Sequence, residues 1–72
     1  PYTIAQQKRA ITDLIEINNK LDFQQMRAHS ENKVQFVYNF LAMLEMLQQK
    51  ILEIQVGLGY NNFWIEKRAD LN

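Results

Sequence analysis

The sequence has no cysteine, one proline, two glycines and one histidine. Without cysteine there is no disulfide to staple a small fold and no thiolate for a structural zinc site. One histidine leaves too few nitrogen ligands for tetrahedral zinc, so no metal or cofactor is expected. The only glycines, Gly57 and Gly59, do not make a phosphate-binding loop. So little Gly and Pro also excludes collagen-like and Gly/Pro-rich disordered chains. Charge of one sign is missing too. Eight Lys+Arg offset eight Asp+Glu, and no net field draws the chain to nucleic acid, an anionic membrane or an acidic substrate. The most apolar stretch, Phe36 to Leu47, is broken by Asn39 and Glu45 and falls well short of a membrane span.

What is present is a chain of 72 residues, 47% of them hydrophobic. A fold of this size buries roughly 60% of the surface its extended chain exposes, a small core that side-chain packing alone must supply. Residues 1–72 are expected to form a single domain. The chain starts at Pro1 without Met and without a signal or transit pattern. That is the expectation for a domain cut from a longer protein, with part of the function outside it.

Thr3 to Ile17 has helical spacing, with Ile4, Ile11, Leu14 and Ile15 on one face and a Thr3/Gln6 capping-box spacing at its start. Arg9 with Asp13, and Glu16 with Lys20, stand four apart as opposite charges. A short second helix follows, Leu21 to Ala28, with Asp22/Gln25 spaced as a capping box and Leu21/Met26 as a hydrophobic staple; a brief strand at Leu21 is the alternative. Ser30 is the expected cap of a third helix running to about Gln49, with Glu31 in its first turn. Its apolar arc spans about 200°, against roughly 100° for an ordinary surface helix. After Lys50 the period changes from helical to alternating: Leu52, Ile54, Val56 and Leu58 read as a half-buried strand, Gly59 to Asn62 as a turn, and Phe63 to Lys67 as a returning strand. Arg68 to Asn72 reads as a frayed tail. Three helices followed by a β-hairpin is the element order of an α+β winged helix.

Candidate chemistry is sparse. His29 precedes a cap and reads as solvated, Asp13 and Glu16 belong to a charged wet face, and Ser30 has no base beside it in sequence. No catalytic set is assembled and an enzyme is not expected. DNA binding needs polar side chains facing out of the third helix together with several phosphate contacts. Spacing places Gln35, Asn39, Glu45, Gln48 and Gln49 on that outer side, but basic residues stand only at its ends, Lys33 and Lys50, and the wing tip has none. A protein-binding module fits better: the third helix has apolar surface beyond what so small a domain covers, the hairpin gathers Tyr60, Phe63 and Trp64, and it offers a free strand edge. By helical angles Val34, Val37, Leu41 and Leu44 are assigned to the core beside Ile11, Leu14, Ile15, Ile54 and Ile65. Phe36, Phe40 and Met43, with Tyr60 and Trp64, are the candidate partner-binding residues. The reverse assignment of the two helix edges is the alternative. A DNA-binding winged helix and a self-associating domain remain alternative readings of the whole, and the uncovered patch predicts weak homodimerisation.

Nearly the whole chain also has a family likeness. Val37-Tyr38-Asn39-Phe40-Leu41-Ala42-Met43-Leu44-Glu45-Met46-Leu47 resembles the Phe-Leu-Ala-Leu-Leu-Glu-Leu helix of segregation and condensation protein A (ScpA), the bacterial kleisin family. Gln55 and Phe63-Trp64-Ile65 resemble that family's following strands, and Tyr2 to Lys8 and Leu21 to Gln24 resemble the start and middle of its C-terminal domain. The hairpin return departs from the family's pattern: Tyr60-Asn61-Asn62 precedes Phe63 where the family often has Pro-Phe-Gly. The resemblance implies a winged helix that docks on the ATPase head of a structural-maintenance-of-chromosomes (SMC) protein and does not read DNA. It implies ScpB as a partner through parts of the protein outside this chain. It also implies a role in chromosome segregation and condensation in the cytoplasm, at the nucleoid.

Overall fold

The computed structural model describes residues 1–59 and 62–70. Its elements, in chain order, are α1 (Ile4–Asn18), β1 (Leu21–Asp22), α2 (Phe23–Ala28), α3 (Lys33–Gln48), β2 (Leu52–Val56) and β3 (Phe63–Lys67). The strands form one antiparallel sheet in the order β1-β3-β2. Three helices with a short strand after the first and a hairpin after the third give the α+β winged-helix arrangement.

Local chemistry sets the ends of these elements. Thr3 Oγ1 accepts the Gln6 amide at 3.1 Å to open α1. Asn19 closes it in the left-handed region (φ 68°), where its amide donates to the Ile15 carbonyl at 2.7 Å. The capping box of α2 is complete: the Gln25 amide donates to Asp22 Oδ1 at 2.7 Å, and the Asp22 amide donates to Gln25 Oε1 at 2.9 Å. Leu21 sits in the brief strand β1, paired with Ile65, and is buried together with Met26.

The start of α3 differs from expectation. Asn32, not Ser30, is its cap, with Asn32 Oδ1 accepting the Gln35 amide at 2.9 Å. Ser30 is engaged elsewhere, because its hydroxyl donates to the Met26 carbonyl at 2.8 Å and accepts from Asn39 Nδ2 at 2.9 Å. At the far end the Ile51 amide reaches the Met46 carbonyl and the Lys50 amide the Leu47 carbonyl, each at 3.0 Å. This is a Schellman closure with Lys50 in the left-handed position at φ 62°. A side chain there is strained where glycine is not. Lys50→Gly is therefore expected to stabilise the domain by about 0.5–1 kcal/mol, read as a rise of a few degrees in the thermal midpoint.

The core is Ile11 and Ile15 of α1, Leu21, Met26, then Ala42, Met43 and Met46 of α3, with Leu52 and Ile65 of the hairpin. Ile4, Leu14, Phe36 and Leu47 pack on it from the rim. The rotation of α3 is the reverse of the one assigned from helical angles. Val34, Val37, Leu41 and Leu44 face outward, Ile54 is exposed on β2, and Met43, a candidate partner residue, is only 6% exposed. A buried polar pair accompanies this rotation. Gln7 Nε2 donates to Asn39 Oδ1 at 2.6 Å, and both residues are 5% exposed. Asn39, placed by spacing on the wet side, is thus held against α1, and Met43 one turn on and Met46 two turns on face inward with it.

The charged residues also pair differently. Lys8 of α1 bridges to Glu45 of α3, and Arg68 to Asp70. Neither Arg9–Asp13 nor Glu16–Lys20 is among these bridges; Lys20 lies over the Trp64 ring, 4.6 Å from its centroid. Arg68, expected to fray, continues the ladder through its amide to the Ile51 carbonyl at 3.1 Å.

Candidate protein-docking surface

At 100° per residue, Val37, Leu41 and Leu44 lie about 150–170° around α3 from the centre of its buried face. A helix normally turns polar groups to that side. Here it turns three aliphatic side chains, with Val34 beside them, and all four are exposed. Phe40 stands at the border of this stripe. It shares an apolar cleft with Met43, Phe63 and Ile65 and stacks on Phe36 with centroids 6.4 Å apart.

The hairpin extends the surface. Side chains alternate across a sheet, and Ile54 opposes Ile65 while Val56 opposes Phe63. Ile54 and Val56 therefore share the sheet face of Phe63 and Ile65, the face that meets Phe40. Val56 is 78% exposed and Ile54 is half open. One apolar surface thus runs from Val37 and Leu41 of α3 past Phe40 and Phe63 onto β2.

That strand is also an edge. Cross-strand bonds run from the Gly57 amide to the Asn62 carbonyl at 2.7 Å and from the Arg68 amide to the Ile51 carbonyl at 3.1 Å. Bonded positions alternate in an antiparallel pair, so 51, 53, 55 and 57 face β3. Leu52, Ile54 and Val56 consequently turn their backbone N–H and C=O groups away from the sheet, beside the apolar face. The arrangement offers both side-chain area and a row of backbone groups to an incoming chain.

The candidate partner residues are not gathered in one place. Phe40 borders the open surface. Phe36 is half-buried, on the flank of α3 toward α2, where its ring meets Phe23 edge to face at 5.2 Å. Met43 lies in the core and has no face to offer. Trp64 is on the opposite face of the sheet, half-buried under Lys20, with its indole N–H donating to Glu66 Oε2 at 3.1 Å. Tyr60 falls outside the described residues. Sequence reasoning missed Val37, Leu41 and Leu44 as surface residues. The signal that could have found them was Asn39, a polar residue whose inward turn sets the rotation.

The same geometry bears on other chemistries. Gln35 and Glu45 are half-buried and Asn39 is buried, so of the row that spacing placed outward only Gln48 and Gln49, at the far end of α3, are exposed. His29 is exposed at the end of α2. Among the described residues, no cluster of three or more His, Cys, Asp or Glu side chains is placed to hold a metal ion. No helix among them is long and apolar enough to cross a membrane.

An aliphatic outward helix face thus lies beside an open strand edge. The chain is similar to segregation and condensation protein A. Its match to that protein of Clostridium botulinum (strain Alaska E43 / Type E3) is 30% identical over 69 residues, 96% of this chain. The matched region spans 28% of that relative's length. No protein-family model and no solved structure matches the chain. The likeness to segregation and condensation protein A read from Tyr2 to Lys8, Leu21 to Gln24, Val37 to Leu47 and the hairpin is thus found again over nearly the whole chain.

Proposed function

We propose that this chain is the C-terminal winged-helix domain of a kleisin subunit of the ScpA kind. In this reading residues 1–72 are one domain of a longer protein. It is a binding module, not an enzyme, and it docks on the ATPase head of an SMC protein in a chromosome segregation and condensation complex. The rest of such a protein would hold ScpB and the second SMC subunit, and the assembly would work in the cytoplasm at the nucleoid.

The observation that carries the reading is the apolar face of α3, turned directly away from the domain's own core and continuous with the exposed side chains of β2. Water contact with that much aliphatic surface is unfavourable at roughly 25 cal/mol per Å², and a protein partner relieves it. The balanced charge suits a partner held by apolar contact and backbone pairing. A DNA-reading role is disfavoured, because the outward face of α3 carries Val37, Leu41 and Leu44 where base contacts need amides and guanidinium groups.

Calorimetric titration of an SMC ATPase head with the chain tests this. A one-to-one complex with a negative heat-capacity change and little salt dependence is expected. Absence of a complex, or a complex lost steeply as salt rises, would sink the reading. Light scattering of the chain alone separates the self-association reading, which requires a mass that grows with concentration.

A further inference from the structure

A second cleft, of about 380 Å³, opens between α2 and the start of α3. Its walls are Phe23 and Phe36, and its rim carries Arg27 and Lys33. The other lining residues, Ser30 and Asn32, are engaged within the fold. Ser30 bonds the Met26 carbonyl and Asn39. Asn32 Oδ1 accepts the Gln35 amide, and its Nδ2 donates to the Tyr2 hydroxyl at 3.1 Å.

That leaves two cations. Among the described residues, neither Arg27 nor Lys33 takes part in an ion pair. The nearest acid in sequence, Glu31, does not line the cleft and accepts the Tyr2 hydroxyl at 2.9 Å. Lys33 is moreover the first residue of a 16-residue helix with no acid in its first turn. The helix dipole disfavours a cation there and favours an anion. The guanidinium, the ammonium and the helix terminus therefore add up to a positive rim over aromatic walls.

We propose that this cleft binds an acidic peptide segment of a partner protein that carries an aromatic or large aliphatic side chain among its carboxylates. The carboxylates pair with Arg27 and Lys33, and the apolar side chain lies against Phe23 and Phe36. Both halves of the ligand are required by the cleft. A free anion satisfies the cations and leaves the phenyl walls in water; an apolar ligand leaves the cations unanswered. Duplex DNA does not fit, since the surface leading on from Lys33 along α3 is Val34, Val37 and Leu41, with no further phosphate contact. The site lies on the α2 side of the helix end and does not depend on docking to an SMC head.

The test is amide chemical-shift mapping of the chain with the capped peptide Asp-Glu-Phe-Asp-Leu. Saturable shifts are expected at Phe23, Arg27, Asn32, Lys33 and Phe36. Affinity should fall about tenfold or more in the Arg27→Glu/Lys33→Glu variant, because two charge-assisted contacts become repulsive. A similar fall is expected for a peptide with Ser in place of Phe and Leu. Both substituted residues are exposed, so the fold is retained. The proposal is overturned by absence of saturable shifts, by shifts that map elsewhere, by unchanged affinity in the double variant, or by inorganic phosphate or a short DNA duplex binding the cleft as well as the peptide does.

Discussion

A Leu41→Arg chain is expected to stay folded and to bind an SMC head about a hundredfold more weakly than the parent, a loss of about 2.7 kcal/mol. The two halves of that expectation come from one fact: Leu41 is 46% exposed and points away from the core. Replacing an outward residue on a helix changes stability by about 0.5 kcal/mol or less, so the thermal midpoint should move by a few degrees at most. At the centre of an interface, the same guanidinium must give up its water without a partner, which costs several kcal/mol. Met43→Arg is the contrasting variant. Met43 is buried beside Ala42 and Met46, and an unpaired charge there exceeds the marginal stability of so small a domain. Circular dichroism should show Met43→Arg unfolded and Leu41→Arg intact. Phe40→Arg is a poorer probe than its motif position suggests, since Phe40 also lines the cleft with Met43, Phe63 and Ile65, and binding and stability would fall together. An intact Leu41→Arg chain that binds the head as the parent does would move the interface off this face.

The element order was legible because its signals are local. The Asp22/Gln25 box, the Asn18-Asn19 stop and the change to alternation after Lys50 each depend on residues a few positions apart, and each element formed where those signals stood. The rotation of α3 was not legible, for a specific reason. With Ala42 and Met46 added to Phe36, Phe40, Val37, Leu41, Leu44, Met43 and Leu47, apolar residues stand around most of its circumference, and the helix has no single apolar side to identify as inner. What breaks the tie is the Gln7–Asn39 bond, a contact 32 positions apart in sequence. A polar residue in an apolar run reads as a surface marker under the usual pattern rule. Asn39 violates that rule because Gln7 and Ser30 satisfy its amide on both sides. The cap at Asn32 was misplaced for the same cause, since Ser30 is drawn into the Asn39 relay and is not free to open the helix. Spacing did identify an excess of apolar surface on the helix; it could not say which edge carried the excess.

The relay itself gives the second large effect. Asn39 joins α1 through Gln7 at 2.6 Å and the end of α2 through Ser30 at 2.9 Å. Asn39→Ala strands the buried Gln7 amide and opens a small void, and should cost about 2–3 kcal/mol, a fall of about 10–20 °C in the thermal midpoint. Removing both partners is different in kind. In Gln7→Leu/Asn39→Leu no donor or acceptor of the pair is left unanswered, and Ser30 keeps the Met26 carbonyl at 2.8 Å. Such paired replacement is close to neutral. The double variant is therefore expected to be more stable than the sum of its two single variants predicts, by about 1–2 kcal/mol in a double-mutant cycle. Its cost should appear as lost uniqueness. With Asn39 apolar, the Val37–Leu41–Leu44 side and the Met43–Met46 side become nearly equivalent candidates for burial, and the amide spectrum of α3 should broaden or double. A single sharp set of α3 resonances in that variant would mean that side-chain packing alone holds the rotation, and that the buried amides contribute stability without choosing which face of the helix is left for a partner.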